Sequence, residues 1–82
     1  MFYVYALKSL KDEKMYVGQT GNLKSRMAQH ARGDVKSTRH RRPLQLICYE
    51  AYLTKEESLK REKYLKSSDG KKDLRKRIKL LQ

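Results

Sequence analysis

Three short runs of strand-forming residues hold most of the apolar material in this chain, and they limit what it can fold into. "FYVYAL" (2–7) and "MYVGQ" (15–19) are aromatic and β-branched, and the polar "SLKDEK" separates them, so together they predict a β-hairpin. Pairing around that turn brings Tyr5 and Tyr16 close to opposite one another, on a shared face. "LQLICYEAY" (44–52) is the strongest strand signal and is expected at the centre of the sheet. Asn22 predicts the cap of a helix running to about Arg32, with Leu23, Met27, Ala28 and Ala31 on its apolar side and Gly33 as its stop. Thr54 and Glu57 form a capping-box pattern that opens a second helix through about Lys66. "SSDG" (67–70) is read as a break, and Leu74, Ile78 and Leu81 recur at helical spacing after it. "DVKSTRHRR" (34–42) has no period and runs into the single proline, Pro43, which predicts an exposed basic loop. The expected order is β-β-α-β-α-α. That is an α/β (α+β) fold in which a small three-stranded antiparallel sheet is flanked by helices, as one domain over residues 1–82.

Charge narrows the partners. Hydrophobic residues (38%) barely outnumber charged ones (37%), a balance that leans toward disorder, but their periodicity argues for a folded domain. The 21 Lys and Arg against 9 Asp and Glu give a net charge of +12, which repels itself and attracts polyanions. Nucleic acid is the first partner this implies, and an anionic membrane the second. No run approaches a membrane span, and "MFYVYALKS" lacks a basic lead-in and a small-residue cleavage site, so the expectation is a cytoplasmic protein with no membrane partner. Cys48 has no companion thiols for a disulfide or a zinc site.

The basic side chains concentrate in two segments, "KSTRHRR" and "KKDLRKRIK". Lys36, Arg39, His40, Arg41 and Arg42 in the first, and Lys71, Lys72, Arg75 and Lys76 in the second, can be solubilising surface or can track a phosphate backbone. The second reading is favoured, without base specificity, because phosphate contacts position a protein but do not read sequence.

A few residues point to chemistry. Glu62 falls three positions after Leu59 and three before Leu65, inside the apolar stripe of its helix, where a carboxylate needs a cation. That cation can be a neighbouring basic side chain or a hard divalent ion that accepts one carboxylate and keeps most of its waters. Arg26 and His30 lie one helical turn apart and share a face, either simply solvated or aimed at a phosphate. Tyr5 and Tyr16 are either ordinary sheet aromatics or, with positive charge or a metal-bound water nearby, acid–base groups.

In this order the residues resemble the GIY-YIG nuclease superfamily over nearly the whole chain. "YVY" (3–5) stands at the first tripeptide and "YVG" (16–18) at the second, "NLKSR" supplies the helical arginine, and "LKREKYLK" (59–66) supplies the carboxylate helix. "STRHRRPLQLICYEAY" is similar to the small single-domain bacterial branch related to the nuclease domain of the bacterial excinuclease. The resemblance implies a metal-dependent endonuclease cutting DNA phosphodiester bonds, structure-selective and tied to repair or recombination. Tyr5 and Tyr16 would flank the scissile phosphate, one of them would help deprotonate the attacking water, and the glycine at 18 would let a substrate backbone approach. Arg26 would stabilise charge on the phosphoryl oxygens, His30 would support them, and Glu62 would hold one divalent cation, Mg²⁺ or Mn²⁺. Tyr3 departs from the first glycine of the family's name, Gln19 stands where some members have lysine, and Arg75 or Lys76 stands where many have asparagine. The implied substrate is branched, damaged or duplex DNA, with RNA and a target-selecting protein as further partners. The rival reading is a catalytically weak or inactive nucleic-acid-binding module on the same fold.

Overall fold

The computed structural model describes the backbone of residues 1–81 and the side chains of residues 1–77. Its elements are β1 (Phe2–Ser9), β2 (Met15–Thr20), α1 (Leu23–Arg32), a 3-10 turn (Arg39–Arg41), β3 (Leu44–Tyr52), α2 (Lys55–Leu65) and α3 (Ser68–Leu81). The order β-β-α-β-α-α and the three-stranded antiparallel sheet are those the sequence predicts. The predicted apolar positions Ile78 and Leu81 lie outside the described side chains.

The sheet order is β2-β1-β3, so β1, not β3, is central. In β1 the residues Val4, Tyr5, Ala6 and Leu7 are all buried, facing both sides of the sheet. β3 is longer and richer in apolar residues, but exposed and covered positions interleave along it, and Leu46 and Tyr49 lie open. An antiparallel edge strand tolerates one wet face, whereas a strand covered on both faces must be apolar at consecutive positions. Length and hydrophobicity alone point to the wrong strand.

Alternation along β1 builds two layers. On one face Val4, Ala6 and Val17 pack with Leu65 of α2 and Leu74 of α3, and Met15, Cys48 and Tyr52 pack against this core. On the other face Tyr5 meets α1 through His30. The cap of α1 is as predicted, since Asn22 Oδ1 accepts from Ser25 N at 3.0 Å and Gly33 closes the helix at φ 83°. Its inward face differs from the prediction. Ala28 and Ala31 are exposed, and the covered stripe is Leu23, Arg26, Met27 and buried His30. The helix gives half of that inner stripe, Arg26 and His30, to polar side chains.

Two further expectations are corrected. The segment 34–42 is not simply an exposed loop, because Val35 and Thr38 are buried. Ser9 Oγ donates to Arg41 O at 2.6 Å, and Arg42 folds back to donate to Arg39 O (2.9 Å) and Ala31 O (3.3 Å). "SSDG" breaks the chain only briefly. Ser67 Oγ accepts from Gly70 N at 3.2 Å, and Gly70 belongs to the first turn of α3. A Cβ at Gly70 would overlap the backbone of Tyr64 and Leu65, so this glycine allows a close approach between α2 and α3.

Thr54 caps α2 as expected, accepting from Glu57 N at 3.2 Å. Leu59 is 43% exposed, so the inner stripe of α2 carries Ser58, Arg61, Glu62 and Leu65. Arg61 and Arg77 both bond the Glu50 carboxylate, at 2.8–3.1 Å, and tie β3 to α2 and α3.

Candidate active site

The site begins with the hairpin register. Tyr5 pairs with Gly18 and Leu7 with Tyr16, so the two tyrosines are diagonal neighbours on one face. The phenol of Tyr5 lies where a Cβ at Gly18 would be, which carries its hydroxyl across the backbone of edge strand β2. The space beside this glycine, expected to admit a substrate backbone, is taken by the protein's own tyrosine.

α1 then delivers three groups to the same place. The Tyr5 hydroxyl lies 2.9 Å from His30 Nε2, and Arg26 Nε donates to it at 3.4 Å. Arg26 Nη1 is steadied by Gln29 Oε1 at 3.0 Å. The His30 ring packs edge-on to both phenols, 5.5 Å from each centroid, and the phenols are 6.4 Å apart. On its far side His30 Nδ1 lies 2.7 Å from the hydroxyl of Thr38, which is 0% exposed. The donor in each bond follows the His30 tautomer: with the ring proton on Nδ1, the Tyr5 hydroxyl donates to Nε2 and Nδ1–H donates to Thr38 Oγ1.

Electrostatics follow from burial. Desolvation, with the neighbouring Arg26 charge, lowers the His30 pKa to about 4, so the ring is neutral at pH 7. Burial raises the Tyr5 phenol; the hydrogen bond from Arg26 pulls it down, and the charges of Tyr16 and Glu62 push it up again. Arg26 is raised, first by its bond to Tyr5 and also by Tyr16. Tyr5, Tyr16, Arg26 and His30 therefore form one cluster, and the charge of Glu62, the fifth residue named from sequence, reaches Tyr5.

Glu62 approaches from α2, on the opposite layer. Gln19 Nε2 donates to Ser58 Oγ at 3.0 Å, fastening β2 to α2 one helical turn before Glu62. The Glu62 side chain is 21% exposed and accepts from Lys66 Nζ at 3.2 Å. Among the described residues no cluster of three His, Cys, Asp or Glu forms a cage for a metal ion. A lone carboxylate does not suit zinc. It does suit a hard ion that keeps water and takes its remaining oxygens from a phosphate.

The basic residues named from sequence fall in different places. Lys36, Arg39, His40, Lys71, Lys72, Arg75 and Lys76 are exposed. Arg42 is spent on carbonyls near the end of α1 and at the start of the 3-10 turn. Arg41 Nε is buried, 3.4 Å from Asp12 Oδ2 but without hydrogen-bond alignment. Thr38, Gln29 and Ser58 join the site without having been singled out by sequence. The only hint of Thr38 is its i,i+3 spacing from Val35 within an otherwise basic stretch.

Residues 1–79 match the GIY-YIG catalytic domain family. The UPF0213 protein of Clostridium perfringens is 45% identical over 67 residues, covering 80% of this chain and 71% of its own. The UPF0213 protein of Staphylococcus saprophyticus is 38% identical over 74 residues, covering 89% of each chain. Such a protein of Staphylococcus aureus is 39% identical over the same length and coverage. No solved structure matches. Those relatives' names carry no activity; the domain family is one of nucleases that act on DNA and generally depend on a divalent metal. With its tripeptide tyrosines, helical arginine and carboxylate helix in the family's order, the chain belongs to the GIY-YIG catalytic domain family.

Proposed function

We propose that this protein is a metal-dependent endonuclease that hydrolyses DNA phosphodiester bonds at the β2 edge, in DNA repair or recombination. The observation that carries the reading is the linked cluster Arg26–Tyr5–His30–Thr38, with the charge of Glu62 acting on Tyr5.

Tyr5 is the better base of the two tyrosines, because it has a proton acceptor already in place. As its oxygen takes a proton from the attacking water, its own proton passes to neutral His30 Nε2, 2.9 Å away. The 3.4 Å contact from Arg26 is long, so Arg26 can leave Tyr5 for the phosphoryl oxygens and stabilise the charge that develops there. That movement opens a lone pair of Tyr5 to the water. Tyr16, less buried, borders the same space and helps to hold the phosphate. A divalent ion at Glu62, Mg²⁺ or Mn²⁺, supplies Lewis-acid polarisation of the phosphate when bound.

The Lys66–Glu62 ion pair favours a second reading, a nucleic-acid-binding module that no longer cuts, since it neutralises the one metal-binding carboxylate. A surface i,i+4 pair of this kind is worth only a few tenths of a kcal/mol, roughly 0.3–0.5, so an ion readily displaces it. The deciding experiment is a cleavage panel of duplex, nicked, flapped and branched DNA with structured RNA, in Mg²⁺ or Mn²⁺, using parent and Glu62→Gln proteins. Cutting by the parent alone, with binding equal in both, supports the nuclease. Salt-sensitive binding without cutting by either supports the module. Cutting by both removes Glu62 from the chemistry.

A further inference from the structure

We propose that the sheet face opposite the tyrosines carries a second DNA contact, a groove that takes the phosphate backbone of another duplex segment of the same substrate. The proposal rests on the reading of this chain as a DNA-cutting enzyme and extends it to branched or sharply bent DNA.

The groove encloses about 630 Å³. Lys8, Lys14, Arg41, Lys71 and Arg75 line it, with Glu13 as its one acid and Lys66 at the rim. It joins the two basic segments of the sequence, Arg41 coming from the first and Lys71 and Arg75, one helical turn apart, from the second. Among the described residues no carboxylate forms an ion pair with Lys8, Lys14, Lys71 or Arg75. Arg41 Nε is a buried donor without an aligned acceptor. Five cations gathered around one hollow repel each other, and a polyanion relieves that repulsion. Nucleic acid suits the shape better than a lipid surface does. The hollow is concave, and its apolar lining is Val17 and Leu74, core residues 6% and 1% exposed, with half-buried Met15, too little to insert into a bilayer.

Strand register separates this groove from the two catalytic phenols, and Lys66 at its rim, paired with Glu62 at 3.2 Å, is its link to the catalytic cluster. Lys8 pairs with Met15, and Ala6 with Val17, on the groove face; Tyr5 and Tyr16 project from the other. The molecule is 20 Å across at its thinnest, wider than the roughly 12 Å major groove of B-DNA. A straight duplex seated on the tyrosine face therefore cannot straddle the molecule to reach the groove. A second arm can.

Anisotropy titrations without divalent metal, on a straight duplex and a four-way junction of equal total length, test this. The variant is the triple Lys14→Gln/Lys71→Gln/Arg75→Gln, all three at exposed positions, with its fold checked by thermal melting. The parent should bind the junction more tightly, with a log–log salt slope steeper by about 2–3, as three neutralised phosphates require. In the triple variant that extra slope should vanish and junction affinity should drop to the straight-duplex value. Parent-like junction affinity and slope in the variant, or equal slopes on both DNAs in the parent, would overturn the proposal. So would loss of binding to phosphatidylserine vesicles with junction binding intact, which would make the groove a membrane contact. If the parent binds neither DNA, the nuclease reading itself fails, and the two failures are told apart.

Discussion

Gly18 of β2 stands directly opposite Tyr5 of β1, and the Tyr5 phenol fills the space that a side chain at position 18 would need. The bare backbone at Gly18 lets the hydroxyl cross to the sheet edge, where Arg26 and His30 meet it. Gly18→Ala should therefore displace the ring. The expected effects are a loss of about 1–3 kcal/mol in stability and a fall of order 10²-fold in cleavage, from denaturant melts and single-turnover rates. Parent-like values for both would mean that the ring position is not what the site depends on.

The two tyrosines should respond unequally to loss of the hydroxyl. Tyr5→Phe removes the partner of both His30 and Arg26, and kcat/KM should fall about 10²–10⁴-fold. Tyr16→Phe should cost far less, on the order of tenfold, having no proton acceptor to lose. The reverse ranking would assign the base to Tyr16.

Thr38 acts through His30 rather than on the substrate, as a positioning residue. Thr38→Val keeps the shape and deletes the hydroxyl, leaving His30 Nδ1 buried without a partner. Stability should fall by about 1–3 kcal/mol. Cleavage should fall as well, through kcat more than KM, and Thr38→Ser should restore both. If Thr38→Val lowers stability alone, the hydroxyl only supports packing.

Acid should destabilise the protein in two stages. The folded His30 pKa, about 4, lies below the ordinary 6.5, so the unfolded chain binds the proton more readily. The stabilisation is complete above pH 6.5 and is lost as pH falls toward 4, amounting to up to roughly 3 kcal/mol. Burial raises Glu50, but the bonds from Arg61, Tyr52 and Arg77 outweigh it and hold the carboxyl below its ordinary 4.5. Its contribution is lost at still lower pH, as it protonates through its folded pKa. Denaturant midpoints between pH 7 and 4 should fall in the parent and stay flatter in His30→Gln. The acid limb of kcat/KM due to His30 should lie near pH 4, not 6.5.

Much of this was legible because it is local. Asn22, Gly33 and Thr54 each fix their own helix ends through bonds to residues three or four positions away, and the hairpin is set by adjacent runs and a short turn. Tyr5, Tyr16, Arg26, His30 and Glu62 stand out because their order along the chain resembles a known family. Their spacing alone leaves each with an ordinary structural alternative. For Glu62 the structural alternative is seen in the ion pair with Lys66.

The sequence by itself determined the element order, the caps and the positive charge, because these depend on neighbours in the chain and on composition. Only the tertiary structure decided that β1 is central, that Ala28 and Ala31 face solvent while His30 is buried, and that Thr38 reaches His30 from a basic loop. It alone brought Arg41 beside Lys71 and Arg75 around one groove. Those outcomes depend on which faces become covered and which distant groups share a buried hydrogen bond, and no local period in the sequence records either.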